Sequence, residues 1–77
     1  KCAQIIDKNL LDLINLFDTK ILENIKKELQ SIGISKIDYC EVREESNLEI
    51  SKTNINSRLF VAFYVNKIRI IDNFVLY

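Results

Sequence analysis

The chain carries one glycine, Gly33, and the apolar pattern changes period across it. Before Gly33, apolar residues recur every three or four positions. After it, they alternate or run together. Glycine takes a left-handed conformation without a Cβ penalty, so it commonly stands just past the last turn of a helix. A chain patterned in this way folds as helices followed by strands. The break between them is expected at Gly33.

The spacing predicts a first helix over residues 2–16, with Ala3, Ile6, Leu10, Leu13 and Phe17 on one face. Asp7 to Asn9 is a polar weak point where this helix is expected to be open to breaking. A second helix is predicted over 19–32. Asp18 is its N-cap, with a carboxylate able to accept from the free N–H groups of the first turn. Phe17 and Leu22 match the positions of a hydrophobic staple. Ile21, Ile25, Leu29 and Ile32 form its buried stripe, and Glu23 with Lys27 adds an i, i+4 pair worth about 0.2–0.5 kcal/mol.

Beyond Gly33, residues 37–42 alternate and read as a strand. Residues 43–57 are polar and read as a loop, with Leu48 and Ile50 the buried candidates and at most a short strand near 48–50. Leu59 to Val65 is continuously apolar, which predicts a central strand covered on both faces. Asn66-Lys67 is a tight hairpin turn leading into a strand from Ile68 to Ile71. The tail from Phe74 to Tyr77 either extends that strand or packs as a cover. The expected fold class is α+β: a two-layer domain, N-terminal helices packed on a small antiparallel sheet of about three strands. One domain over 1–77 accommodates all of it.

Composition narrows the function classes. With 48% hydrophobic residues, thirteen of them isoleucine, the chain is too apolar for a disordered tail. Its longest uncharged stretch lies between Arg58 and Lys67, far short of the roughly 20 residues of a membrane span. There is no signal-peptide pattern. Eleven basic residues balance eleven acidic ones, without the basic excess expected of a nucleic-acid module. The absence of histidine removes any His metal site, His base or Cys–His dyad from within the chain. Cys2 and Cys40 read as small apolar residues of a reduced, cytoplasmic protein. Apolar periodicity is already running at Lys1, with no Met, cap or turn before it, so the chain is expected to be a piece of a longer protein.

No catalytic constellation emerges. Glu44 and Glu45 are adjacent, point to opposite faces of an extended segment, and read as a solvated loop. Asp38 shares a predicted strand face with Cys40 and Val42, as a partly buried carboxylate holding backbone N–H groups or an arginine. Arg69 and Asp72 fall on opposite faces of a regular strand, so a pair between them needs a bend or bulge; Arg69 reads as a structural or surface arginine, which can instead pair with Asp38 or Glu41 across the sheet. The other reading of Arg69 is an arginine reaching into a neighbouring domain's active site. Lys26, Lys27 and Lys36 lack the glycine-rich loop of a phosphate site. Tyr39, Phe60, Phe63, Tyr64, Phe74 and Tyr77 read as sheet packing.

Two segments carry a more specific signal. Ile37-Asp38-Tyr39-Cys40-Glu41-Val42, followed by Leu59-Phe60-Val61-Ala62 and Lys67-Ile68-Arg69-Ile70-Ile71-Asp72-Asn73, resembles the "IDY-x-E" strand and the "L-x-VA … K-x-R-L-I-D-N" ending of the pantothenate synthetases (pantoate–β-alanine ligases). Leu48 sits where that family has a "(D)PETL" segment, here without the proline. The resemblance covers about residues 36–76 well and the helical half in outline. It implies the C-terminal domain of the enzyme, a lid over a Rossmann-like N-terminal catalytic domain that would be the chain's partner. It further implies condensation of pantoate with β-alanine at the expense of ATP with Mg, in a cytoplasmic homodimer, without nucleic acid or membrane. The HIGH-like and KMSKS-like nucleotide loops of the family do not occur in this chain. The chain alone is therefore expected to hold no catalytic, cofactor or metal residue and to be inactive. Asp38, Tyr39, Arg69, Asp72 and Asn73 are carried over as motif positions with structural roles. The alternative, from a different class, is a stand-alone α+β interaction or dimerisation module using the sheet edge.

Overall fold

The computed structural model describes residues 2–34 and 36–76. Two helices, α1 (Cys2–Asn15) and α2 (Thr19–Ser31), precede three strands, β1 (Ile37–Glu44), β2 (Ser57–Val65) and β3 (Ile68–Val75). The strands form one antiparallel sheet in the order β1-β2-β3. The fold is the two-layer α+β class expected. α2 lies over β1, and α1 lies against α2.

The ends of α2 show how sequence sets its limits. Asp18, in an extended conformation, accepts from the Lys20 amide at 2.9 Å. Gly33 has φ 101, and the amides of Gly33 and Ile34 return to the carbonyls of Gln30 and Leu29 at 3.1 Å each. This is the paired closure of a Schellman motif, and it turns Ile34 inward beside Leu29. Ile34 is buried, whereas Ile32, expected on the buried stripe, is 39% exposed. The left-handed turn rotates the chain past the helical face, so the stripe's last contact comes from Ile34.

α1 does not break at Asp7 to Asn9. Asn9 is buried, with its side-chain amide donating to the Ile5 carbonyl at 2.8 Å and to Glu28 Oε1 at 3.0 Å. Asn24 Nδ2 donates to Asn9 Oδ1 at 2.9 Å and to Glu28 Oε1 at 2.8 Å. A satisfied polar bridge between the helices replaces the expected break. Outside it, Lys8 reaches Glu28 Oε2 at 2.7 Å. Hydrogen bonds from Asn9 and Lys8 hold the Glu28 carboxyl below its ordinary 4.5.

The core is formed by Ile6 and Leu13 of α1, Ile25 and Leu29 of α2, and the inner face of the sheet, with Cys40, Val42, Leu59, Val61, Phe63 and Leu76. β2 is central, as its apolar run predicts. It is not covered on both sides, because both helices lie on one face. Ala62 is buried on the other face between the larger side chains of that surface. Of the aromatic residues, only Phe63 is fully buried, and Tyr77 lies outside the described residues.

The stretch from 45 to 56 is a tied loop. Ser51 N donates to the Val42 carbonyl and Glu44 N to the Glu49 carbonyl, both at 2.9 Å, and Arg43 and Ile50 form an isolated bridge. Buried Ser57 Oγ lies 2.8 Å from Ser51 Oγ. Asn54 Nδ2 reaches the carbonyls of Leu13 and Ile14, at 3.3 and 2.6 Å, and so satisfies the C-terminal end of α1. Leu48 and Ile50, expected as buried, are 55% and 58% exposed. The loop is held by hydrogen bonds instead of apolar anchors.

Both cysteines are free, and Cys40 is buried. Burial pushes the Cys40 thiol up to about 11. Iodoacetamide at pH 8 is expected to alkylate Cys2 on the folded chain and to spare Cys40 until denaturant is added. Equal rates of labelling by mass spectrometry would contradict the packing of β1 under α2.

Candidate functional site

The motif residues divide between the two faces of the sheet. β1 carries an irregularity between Ile37, opposite Phe63, and Tyr39, opposite Ala62. A bulge places one extra residue on one strand and re-aims its side chain. Here that residue is Asp38, which leaves the inward face of Cys40 and Val42 where alternation had put it. Its carboxylate instead meets Arg69 Nε at 2.9 Å on the outer face. The pairing of Arg69 with Asp38 is present, and it spans the sheet from one edge strand to the other. The two side chains are 40% and 26% exposed, which limits a single pair of this kind to about 0–1 kcal/mol.

Tyr39 and Asn73 share this outer face through their pairings with Ala62 and Phe60. Asn73 Oδ1 accepts from Arg58 Nη1 at 2.9 Å, and Arg58 also meets Glu45 at 3.2 Å. Arg43 is fixed between Glu41 Oε2 and the Leu48 carbonyl, each at 2.6 Å. The outer face is thus an aromatic floor crossed by three arginines, each paired with an acid of the same chain. Lys36 sits over the Tyr64 ring, 4.8 Å from its centre.

Asp72 stands apart from the other motif positions. It lines a groove of about 340 Å³ on the inner face, between the start of α1 and β3, together with Val61, Phe63, Phe74 and Asp7. A second hollow, of about 390 Å³, lies along the 36–41 end of β1 beside Lys26 and Gln30. Neither brings together a nucleophile, a base and an orienting group. Among the described residues, no group of three or more Cys, Asp or Glu is placed to hold a metal ion. No helix among the described residues is long and apolar enough to cross a membrane.

The Asn9–Asn24–Glu28 bridge is the polar cluster that pattern reading missed. A signal was present: Asn9 falls three residues after Ile6 and four before Leu13, on the apolar stripe of α1.

Comparison with known proteins places this framework. A family model described as pantoate-beta-alanine ligase matches residues 1–75. The pantothenate synthetase of Clostridium acetobutylicum is 38% identical over 81 aligned positions, which cover 96% of this chain and 29% of that protein. Those of Thermosipho africanus and Clostridium novyi are 32% and 34% identical, over 77% and 74% of this chain and 22% and 20% of their own lengths. The chain therefore spans less than a third of the length of these relatives. No solved structure matches it. The match runs through both the helical and the strand halves, beyond the two strand segments that first carried the resemblance: the chain belongs to the pantoate–β-alanine ligase family.

Proposed function

We propose that this chain is the C-terminal lid domain of an ATP-dependent ligase that joins pantoate to β-alanine. In that reaction pantoate attacks the α-phosphate of ATP, forming pantoyl adenylate and releasing pyrophosphate. The amine of β-alanine then attacks the acyl carbon, forming the amide and releasing AMP. The nucleotide loops and the magnesium that accompanies ATP belong to a preceding Rossmann-like domain. The enzyme works in the cytoplasm as a homodimer. The role of the present residues is to cover the site and keep water from the adenylate.

The observation that carries this reading is the family match over residues 1–75, in a chain corresponding to 29% of a curated relative. It is supported by the way the polar side chains are used. Asp38, Arg69, Arg58 and Asn73 are engaged with one another or with neighbours in the sheet, as befits a rigid cover. The purified 77-residue chain, supplied with ATP, pantoate and β-alanine, is expected to release no AMP above the no-protein blank. Sustained AMP release dependent on pantoate would overturn the assignment of the chemistry to another domain.

A further inference from the structure

The two edges of the sheet are treated differently. On β1, the loop covers the Val42–Glu44 end through the Ser51–Val42 and Glu44–Glu49 hydrogen bonds, and the bulge at Asp38 disrupts the other end. These are standard ways of blunting an edge. β3 has neither. It is eight residues long, and Ile68, Ile70, Ile71 and Val75 are between 38% and 67% exposed.

The direction of its free backbone groups follows from the pairing. Leu76 N donates to the Ser57 carbonyl, and antiparallel pairs alternate between bonded and non-bonded. The even residues of β3 therefore face β2, and Arg69, Ile71, Asn73 and Val75 turn their N–H and C=O groups to the open edge. One of these four amides is already occupied. Asp72 Oδ1 accepts from Asn73 N at 2.8 Å, standing where the carbonyl of a further strand would stand. On the inner face, the groove between β3 and α1 has an apolar floor and two carboxylates, Asp7 and Asp72. Neither carboxylate is paired with a cation among the described residues.

We infer that β3 is a docking edge for an extended segment of a partner polypeptide that alternates aliphatic residues with a lysine or arginine. The segment adds as a fourth strand. Its carbonyl takes the Asn73 amide from Asp72, and the released carboxylate, with Asp7, receives the basic side chain. Its aliphatic side chains cover the groove beside Ile70 and Phe74. This is strand addition, with main-chain bonds supplying affinity and alternate side chains supplying choice. A second copy of this chain fits the edge less well. Antiparallel self-pairing of β3 keeps like faces together, so centring it on Ile71 sets the two Asp72 carboxylates diagonally about 7–8 Å apart with no cation between them.

The test uses the 77-residue chain and a synthetic peptide of about eight residues that alternates isoleucine and threonine around one lysine. A matched peptide carries glutamate in place of the lysine. Binding is followed by calorimetry and by amide hydrogen exchange. The lysine peptide is expected to bind at least about fivefold more tightly than the glutamate peptide. It is also expected to slow exchange at Arg69, Ile71 and Val75 by about tenfold or more. Asp72→Asn and Asp7→Asn, both exposed and separately checked for folding by circular dichroism, are each expected to narrow the preference between peptides. Equal binding of the two peptides, protection confined to β1, or concentration-dependent protection of β3 without peptide would each overturn the proposal. The last outcome would identify a second copy as the occupant.

Discussion

Leu59→Ala is expected to remove a large share of the domain's stability. Leu59 is fully buried on the central strand, between Val42 of β1 and Phe74 of β3. Its methyl groups are shared by the strands on either side and by the helical layer, so no single neighbour can move to fill the space. Truncation of such a leucine costs about 2–5 kcal/mol. A domain of this length has a total stability of only about 4–12 kcal/mol. At about 4–8 °C per kcal/mol for a small domain, the melting temperature should fall by roughly 8–40 °C in a calorimetric scan. The matched substitution Ile71→Ala, on the exposed edge strand, should shift it by a few degrees at most. Similar shifts for the two variants would mean that the sheet does not bury its inner face against the helices as described.

Asn9→Asp is the second large effect. The substitution keeps the shape of the side chain but removes both donations, to Ile5 and to Glu28, and sets a second carboxylate against Glu28. An unpaired buried charge beside a like charge costs about 3 kcal/mol. The pH dependence gives the sign. Burial and the Glu28 charge raise the folded-state pKa of the new carboxylate, so its penalty grows as pH rises from the unfolded value through the folded one. The gap in stability between the variant and the parent should therefore be widest near neutrality and narrow as the new group protonates on acidification. Glu28 titrates in the opposite sense. Its folded-state pKa is lowered, so its contribution is present above about 4.5 and is lost as pH falls through the folded value. Urea denaturation at several pH values measures both. A gap that stays constant from pH 7 to 5 would contradict the placement of Asn9 against Glu28.

How far the sequence could be read follows from where its information is local. Asp18, Gly33 and Asn66 each fix the backbone by their own chemistry, and all three stand where local reading put them, with Asn66 at φ 58 in the hairpin turn. The α+β class and the central place of β2 follow from period and from a run apolar on both faces. The failures are non-local. Nothing between residues 36 and 42 announces the bulge at Asp38, and the arginine that its re-aimed carboxylate meets, Arg69, is 31 residues away. Asn9 looked like a weak point because its partners sit on another helix. Leu48 and Ile50 looked buried because hydrophobicity was the only local cue, whereas the loop is held by Ser51, Asn54 and Ser57. Among the motif positions, Asp38 was one of the two partners open to Arg69, with Glu41 the other, and the structure selects Asp38. That Asp72 lies on the face opposite Arg69 followed from strand alternation, whereas the groove beside it depends on α1, which its own segment does not mention.

The most direct test of the ligase assignment is a chimera. The stretch of the Clostridium acetobutylicum pantothenate synthetase that aligns with this chain is replaced by residues 1–77, and pantothenate formation is measured beside the parent and a version ending before that stretch. If the chain is a working lid of this ligase, the chimera should retain kcat/KM within about tenfold of the parent, a loss of about 1.4 kcal/mol or less in transition-state stabilisation. The shortened version should form little pantothenate and hydrolyse its adenylate. A chimera that is folded by circular dichroism but no more active than the shortened version would contradict the account.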